Sequence, residues 1–313
     1  MRAVGVTEFG GPEKLQVVDL PERHAGPGEV RIRVGAATVN PTDTYTRDGS
    51  RAEALHAAGP PPYVSGMDVA GFLDEIGEGV ETELAIGDDV MAIVIPSGSH
   101  GGYSQSIVLP AASVVASPAG ASLAEASTLP MNGLTARLSL DLLALPPGAT
   151  IAVTGAAGAY GGYVVQLAKA DGLRVIADAS EADDELVRNL GADVVVRRGD
   201  DVATRILAAA PGGVDGLADG SVQNELLFPA IRDGGGFAAV RGLRAEAPRG
   251  ITIHAVWVRE YAKEQAKLDR LREQVEEGAI TLRVATTFAP EDAAEAHRIL
   301  QAGGTRGRLV IEF

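Results

Sequence analysis

Polar and apolar residues alternate along residues 29–34, which read Glu-Val-Arg-Ile-Arg-Val and predict a strand with one buried face. Short apolar runs recur through the first third of the chain, separated by glycine- and proline-containing turns such as residues 10–12 and 27–28. Residues 2–6 and 15–19 flank the first of these turns and predict a hairpin. Many short strands with regular glycine turns predict a compact, barrel-like β domain.

The pattern changes after residue 121, where predicted strands and helices begin to alternate. Ser122 followed by Glu125 is a capping-box signature that predicts the start of a helix. Strands are predicted at residues 151–154, 174–178, 194–196, 216–220, 236–240 and 251–253. The alternation of strands and helices predicts a doubly wound parallel sheet of the Rossmann type. A long charged helix over 260–277 follows, and then strands at 282–284 and 309–311 around a helix at 293–300.

The second pattern is organised around the turn at residues 155–162, which reads Gly-Ala-Ala-Gly-Ala-Tyr-Gly-Gly. It joins a strand to a helix, and a helix start carries unpaired N–H groups and partial positive charge. A pyrophosphate binds these donors only where no side chain blocks its approach, which Gly158 and Gly161 would allow. Ala156 replaces the first glycine of the strict Gly-x-Gly-x-x-Gly pattern, so close packing in an unrelated α/β protein is the alternative. The residues expected to contact a dinucleotide are Ala157, Gly158, Ala159, Tyr160 and Gly161.

Bulk properties argue against several classes of protein. The chain has 313 residues, more than the ~250–300 at which a single core stops growing, so two domains are expected. A formal net charge of −15 argues against nucleic acid or an anionic membrane as a partner. No apolar run reaches the ~18–20 residues that span a bilayer, and the N-terminus lacks a signal-peptide core, so a cytoplasmic location is expected. The absence of cysteine excludes disulfides, thiolate zinc sites and a cysteine nucleophile.

Several segments occur in a characteristic order along the chain. They are residues 8–12 (Glu-Phe-Gly-Gly-Pro), 27–30 (Pro-Gly-Glu-Val), 40–43 (Asn-Pro-Thr-Asp), 66–71 (Gly-Met-Asp-Val-Ala-Gly), 101–103 (Gly-Gly-Tyr), 129–136 (Leu-Pro-Met-Asn-Gly-Leu-Thr-Ala) and the central turn. In sequence and order they resemble the zinc-independent quinone oxidoreductase branch of the medium-chain dehydrogenase/reductase superfamily. The resemblance covers nearly the whole chain.

The resemblance implies a GroES-like domain at residues 1–121 and 279–313 and a Rossmann cofactor-binding domain at residues 122–278. Zinc-dependent relatives have a metal-ligating histidine where this chain has Met67. None of the five histidines pairs at ligand spacing, so no metal site is expected. The implied reaction is hydride transfer from a reduced nicotinamide to a quinone or an α,β-unsaturated carbonyl.

Residues after the second and third Rossmann strands bear on the choice of cofactor. Asp178 is close to the position where an acidic residue binds the ribose 2′-hydroxyl of NAD and repels a 2′-phosphate. NADPH-using relatives typically have a small hydroxyl residue and a lysine after this strand; the chain keeps Ser180 but has Asp183-Asp184 where the lysine is expected. Arg197 and Arg198 either bind a 2′-phosphate or form a solvated surface pair. We expect NADPH on family grounds, with NADH as the alternative.

Other site residues follow from the resemblance and are expected to meet in a cleft between the domains. Asn40 is expected to hold the nicotinamide or the substrate, and Thr135 to place its hydroxyl near the nicotinamide ribose. A loop cap and a helix back-bond are their respective alternatives. Val240-Arg241-Gly242 ends a strand at the edge of the sheet where cofactors bind. Arg308 is expected to reach the cofactor phosphates, with a surface charge as the alternative.

Three tyrosines are candidates for contact with the ligands. Tyr45 lies on the Asn40 loop and is taken as a catalytic residue, because its hydroxyl, like that of Tyr103, can donate to a substrate oxygen. Tyr160 replaces the small aliphatic residue usual in this turn. It either stacks on the cofactor, lines the pocket or fills a packing gap.

Two alternatives to a general quinone or enone reductase stay open. One is a pathway-specific enoyl reductase, and the other is a non-catalytic NADPH-binding protein of the crystallin or sensor type. Family members commonly dimerise through the edge strands of their Rossmann sheets. The apolar run at residues 251–258 suits such an edge, so a homodimer is expected.

Overall fold

The computed structural model describes residues 1–313, and it divides the chain into two compact units. The first unit comprises Met1–Met131, Arg259–Glu276 and Thr281–Phe313, and the second comprises Asn132–Val258 and Glu277–Ile280. The two domains expected from the sequence, 1–121 with 279–313 and 122–278, have different bounds and stay a prediction. No helix in the structure is both long enough and apolar enough to cross a bilayer.

The regular elements are sixteen strands and nine α-helices, with short 3-10 helices between some of them. The strands are β1 Arg2–Val6, β2 Gln16–Asp19, β3 Glu29–Thr38, β4 Tyr63–Val64, β5 Asp68–Ile76, β6 Asp89–Ile93, β7 Ser106–Pro110, β8 Val114–Ala116, β9 Thr150–Thr154, β10 Arg174–Ala179, β11 Val194–Arg197, β12 Val214–Asp219, β13 Ile231–Val240, β14 Thr252–Val256, β15 Val284–Phe288 and β16 Arg308–Glu312. The helices are α1 Asp43–Arg47, α2 Ala52–Ala58, α3 Leu123–Ala126, α4 Pro130–Leu143, α5 Ala159–Ala170, α6 Asp184–Asn189, α7 Val202–Ala209, α8 Gln265–Glu276 and α9 Ala293–Ala302.

The first unit is built around β3. This strand pairs antiparallel with β5, β7 and β16 in a seven-stranded sheet, and a smaller sheet of β2, β1 and β4 contains the predicted hairpin. The predicted alternation holds, since Val30, Ile32 and Val34 are all buried in one core. Where β3 meets β5, a Cβ on Gly71 would lie 2.1 Å from the Arg33 carbonyl oxygen, so glycine is required for the strands to approach.

The second unit contains a six-stranded parallel sheet in the order β11-β10-β9-β12-β13-β14. Ile151, Ala152 and Val153 of β9 are fully buried, as expected for a central parallel strand covered on both faces. This order is that of a Rossmann sheet, which confirms the predicted fold class. Strand β14 lies at one edge of the sheet.

Three elements differ from the sequence prediction. Helix α2 was not predicted, because it buries a single large apolar residue, Leu55, and has no side-chain cap. The helix expected at 260–277 begins at Gln265, since a 3-10 turn at Val258–Tyr261 precedes it. The strand expected at 282–284 runs instead over Val284–Phe288, where it pairs in parallel with β16.

Candidate active site

The turn between β9 and α5 carries no side chain over the helix start. Gly158 is the N-cap of α5, with φ −71° and ψ 176°, and it offers no side-chain cap. A Cβ on Gly158 would approach only the Gly155 carbonyl oxygen, at 3.1 Å. A Cβ on Gly161 would lie 2.4 Å from the same oxygen, so glycine is needed there for the helix to pack on the turn. The two glycines therefore differ in role, since Gly158 leaves open space beside the helix start and Gly161 allows the close approach of helix and turn.

Asp178 supports this turn from the neighbouring strand. Its Oδ1 accepts a hydrogen bond from the Ala156 N–H at 3.1 Å, and the residue is only 4% exposed. Burial raises the pKa of the carboxyl, and hydrogen bonds from the backbone of Ala156 and Gly155 and the charge of Arg198 act against that rise. Asp178 thus holds the turn from within β10, and its expected contact with the ribose stays a prediction.

Polar side chains after β10 mostly bind one another. The Ser180 hydroxyl donates to the Asp183 carboxylate, and its expected contact with the cofactor stays a prediction. Glu181 forms an ion pair with Arg197, with 3.4 Å between Oε2 and Nη2. Arg198 is exposed, and its backbone N–H donates to the carbonyl of the last β10 residue at 2.9 Å. This hydrogen bond fixes the main chain of Arg198 beside the end of β10.

Tyr160 fills the space between α4 and α5. Its hydroxyl lies 2.8 Å from the Ser139 Oγ, and Ser139 donates in turn to the Thr135 carbonyl oxygen at 2.8 Å. Burial raises the pKa of Tyr160, so the phenol stays protonated as a donor. Of the three interpretations of Tyr160, these contacts fit a packing role. Thr135, which is 9% exposed, lies one helical turn before Ser139 in α4.

Val240, Arg241 and Gly242 lie where the sequence places them, at the carboxyl end of β13. Arg241 and Gly242 have φ angles of 67° and 72°, so the chain leaves the sheet in a tight left-handed turn. A Cβ on Gly242 would lie 2.8 Å from Cζ2 of Trp257, which packs against this turn. Strand β12 separates β13 from β9, and a direct role of these three residues in cofactor binding stays a prediction.

In the first unit, Asn40 and Arg308 meet in a buried cluster around Asp68. The Asn40 amide donates to Asp68 Oδ2 at 2.8 Å and accepts from Arg308 Nη2 at 2.6 Å. The same carboxylate accepts from the Thr38 hydroxyl at 2.7 Å and from the Met131 N–H at 2.5 Å. Asn40 is 0% exposed and Arg308 is 4% exposed. We therefore correct the expectation that the amide is presented to a ligand, and the alternative of a surface charge at Arg308 is wrong.

A second buried cluster surrounds Asp43 at the start of α1. Its carboxylate accepts from the Asn40 N–H at 2.8 Å, the Gly66 N–H at 3.1 Å and the Tyr103 hydroxyl at 2.9 Å. The Tyr103 hydroxyl is also 3.3 Å from Nε2 of His297, which is fully buried. Burial raises the pKa of Asp43 to about 6 and lowers that of His297 to about 3. Tyr103 is thus bound to Asp43 and buried, which corrects its expected role as a substrate donor.

Tyr45 has a different environment from Tyr103. It is half-buried, and the Arg51 guanidinium lies 5.5 Å from its ring centroid. Three residues before Tyr45, the Thr42 hydroxyl donates to the sulfur of Met67 at 3.1 Å. Met67 occupies the position at which zinc-dependent relatives have a histidine. Tyr45 is therefore the sequence-predicted catalytic residue whose placement is compatible with contact to a ligand.

Two family models match the chain: the alcohol dehydrogenase GroES-like domain over residues 26–119 and zinc-binding dehydrogenase over residues 190–311. The chain is 31% identical to the quinone oxidoreductase of Rattus norvegicus over 343 residues, which cover 99% of this chain and 97% of that protein. The chain belongs to the quinone oxidoreductase branch of the medium-chain dehydrogenase/reductase superfamily. The resemblance seen in the sequence is confirmed.

Other similar proteins extend this quinone oxidoreductase assignment. The 2-haloacrylate reductase of a Burkholderia species is 28% identical, with 99% of this chain and 98% of that protein covered. A mycobacterial protein solved in complex with NADPH is 26% identical, with a TM-score of 0.87 and 100% of both chains covered.

Sequence reasoning missed the central acids of both buried clusters in this quinone oxidoreductase-family chain. Asp43 and Asp68 belong to the segments at 40–43 and 66–71, for which the sequence predicts no buried acid. Both are at most 2% exposed. The sequence does contain a signal for a buried acid at Asp68, which lies among small and β-branched residues in a strand flanked by glycines. A carboxylate buried in this way needs several hydrogen-bond donors.

Asp43 generates a prediction about pH. With its pKa raised to about 6 in the folded chain, the folded state binds more protons than the unfolded state between about pH 4 and 6. The contribution of Asp43 to stability therefore falls as pH rises through this window. We expect urea unfolding at pH 4 to 7 to show the wild-type chain losing free energy of unfolding relative to Asp43→Asn as pH rises.

The matched control is Asp19→Asn, since Asp19 is exposed at the end of β2. Its difference from the wild type is expected to lack this pH trend. A constant difference between Asp43→Asn and the wild type from pH 4 to 7 would contradict the prediction.

Proposed function

We propose that the chain is an NADPH-dependent oxidoreductase that transfers hydride to a quinone or an α,β-unsaturated carbonyl compound. The observation that carries the proposal is the turn at Gly158 and Gly161, which keeps side chains away from the start of α5. Family membership supports the reaction class, since relatives named quinone oxidoreductase and 2-haloacrylate reductase match almost the whole chain.

The residues of the second unit fit the cofactor. The start of α5 offers backbone donors and the positive end of a helix dipole to a diphosphate, and Asp178 holds the preceding amide in place. When bound, the nicotinamide would supply the hydride. On the substrate side, we assign Tyr45 as the donor to the oxygen that becomes negative, because a preorganised donor stabilises developing charge. The contact of Arg308 with the phosphates stays a prediction.

The two alternative functions differ from this proposal in a measurable way. A crystallin-like or sensor protein would bind the cofactor tightly and reduce nothing across a broad panel of quinones and enones. A pathway-specific enoyl reductase would reduce one enone and leave simple quinones untouched. Neither alternative is favoured by the names of the relatives.

The Gly158 turn generates a prediction about activity. Gly158→Asp places a carboxylate against the diphosphate, and two like charges at ~4 Å repel by ~4 kcal/mol in a partly screened site. We expect NADPH oxidation with 1,4-benzoquinone to fall at least about 100-fold. Because Gly158 is an N-cap with extended backbone, aspartate is a favourable cap, and the thermal midpoint is expected to hold or rise.

Two control variants sharpen this experiment. Gly158→Asn also caps the helix but carries no charge, so it is expected to lose less activity than Gly158→Asp. Gly212→Asp adds the same carboxylate to an exposed turn of the second unit, where a Cβ meets nothing within 4 Å. It is expected to keep full activity. Unchanged activity in Gly158→Asp would overturn the assigned phosphate site.

For the choice of cofactor, the observation that supports NADPH is Arg198. Its neighbour Arg197 is paired with Glu181, whereas Arg198 is exposed beside the end of β10. A guanidinium there suits a 2′-phosphate, which it can bind through two parallel hydrogen bonds. The solved NADPH complex of a similar protein supports the same choice. The acidic residues Asp183 and Asp184 are the feature that supports NADH.

The two arginines therefore make a matched pair for a second prediction. Removing a charged hydrogen bond costs ~1.5–3 kcal/mol, which is a factor of roughly 10 to 100. Arg198→Ala is expected to lower kcat/KM for NADPH by about that factor and to leave kcat/KM for NADH unchanged. Arg197→Ala is expected to change neither. A wild-type preference for NADH, or equal effects of the two variants, would refute the assignment.

We also propose a homodimer joined through β14. This strand is an edge of the sheet, and Trp257, just beyond it, is 42% exposed. An unpaired edge with exposed apolar residues favours pairing with a second copy. Light scattering at micromolar concentration is expected to give twice the chain mass of 32.2 kDa, and a chain that stays at 32.2 kDa would contradict the proposal. The cytoplasmic location stays a prediction.

A further inference from the structure

A cleft of about 510 Å³ lies wholly within the first unit, away from the two buried acid clusters. Its walls are Phe9, His56 and Tyr63, with Thr7 and the Gly59–Pro61 segment completing them. The volume falls within the ~300–1,000 Å³ that small-molecule sites occupy. None of the residues assigned to the cofactor or to Tyr45 lines this cleft.

The aromatic walls are held in a fixed arrangement. Phe9 and Tyr63 stack with their ring centroids 5.5 Å apart and their planes within 7°. His56 is tilted against both rings, at 5.6 Å from Phe9 and 6.1 Å from Tyr63. Gly49 has a φ of 82°, and a Cβ there would lie 3.0 Å from Cγ of Phe9. Glycine at this position thus lets the Phe9 ring lie directly on the backbone between α1 and α2.

The polar side chains of the cleft are those of Thr7, Tyr63 and His56. Gln16 Nε2 donates to the Thr7 Oγ1 at 3.0 Å, so the Thr7 hydroxyl keeps its own hydrogen for another acceptor. The Tyr63 hydroxyl donates to the Gly59 carbonyl at 3.3 Å and is thereby occupied. The exposed His56 imidazole adds a second possible donor. The lining contains no carboxylate, ammonium or guanidinium, which selects against charged ligands.

From these features we propose that the Phe9–His56–Tyr63 cleft is an accessory binding site for a neutral, planar aromatic carbonyl compound of the quinone class. Flat rings stack on aromatic side chains, and a quinone carries carbonyl acceptors at its edges for the His56 and Thr7 donors. Because the cleft is separate from the proposed cofactor turn, binding to it does not require NADPH.

The chain suits a direct binding test with a quinone. It contains no cysteine, so the thiol addition that complicates quinone binding is absent. The probe is 1,4-naphthoquinone, added to the full chain without cofactor and followed by calorimetry and saturation-transfer NMR. Naphthalene has the same rings without the oxygens. It is expected to bind more weakly, because it cannot accept hydrogen bonds from His56 and Thr7.

The variants are chosen so that folding does not obscure the result. His56→Ala removes an exposed wall, and Phe9→Leu removes a half-buried one. Each is expected to raise the Kd for naphthoquinone by roughly 2- to 10-fold, the range of one aromatic contact. His24→Ala, an exposed histidine outside the cleft, is expected to leave the Kd unchanged. Circular dichroism checks that each variant is folded.

The outcomes separate this inference from the proposed reaction. No naphthoquinone binding, or binding that folded His56→Ala and Phe9→Leu leave unchanged, would overturn the accessory site even if the wild-type chain reduces quinones with NADPH. Variant-sensitive binding in a chain that oxidises no NADPH would support the accessory site and overturn the proposed reaction instead.

Discussion

The close approach of Gly161 to the carbonyl oxygen of Gly155 is the contact on which the second unit depends. Only glycine allows the first turn of α5 to lie this near the backbone that leaves β9. The approach sets the direction of the helix, and the direction of the helix sets where its unpaired N–H groups point. Asp178 reinforces the same corner from β10 by accepting from the Ala156 amide. Packing and the proposed diphosphate binding therefore share a few backbone atoms.

The first unit differs in that it keeps ionisable side chains buried inside a β-rich core. Arg308 and Asp68 are 3.2 Å apart and both almost fully buried, so each depends on the other and on neutral neighbours such as Asn40 for its solvation. Removing one member of such a pair leaves an uncompensated charge and costs more than the pair contributes. Burial raises the pKa of Asp43, and its three neutral hydrogen-bond donors act against that rise.

The sequence was sufficient for the parallel Rossmann sheet, the glycine turn and the capping box at Ser122, all of which depend on local patterns. It was insufficient wherever a side chain's partner lies far along the chain. Asn40 was placed correctly on its loop, yet its amide binds Arg308, 268 residues away. Similarly, Tyr160 replaces the usual small residue, and its hydroxyl forms a hydrogen bond with Ser139 on another helix. Single-sequence patterns report periodicity and turns, whereas such partnerships are properties of the folded chain.

The pairing of β16 with β3 has a consequence for biosynthesis. Val310 lies opposite Thr38 in that ladder, so the core of the first unit stays open until β16 has been made. The second unit, by contrast, is almost continuous and can close while the ribosome is still translating. Until then the nascent chain holds Asp68 without Arg308, and the edge of β3 is free to pair wrongly. A chain that stops before β16 would thus contain a complete second unit and a first unit without this strand.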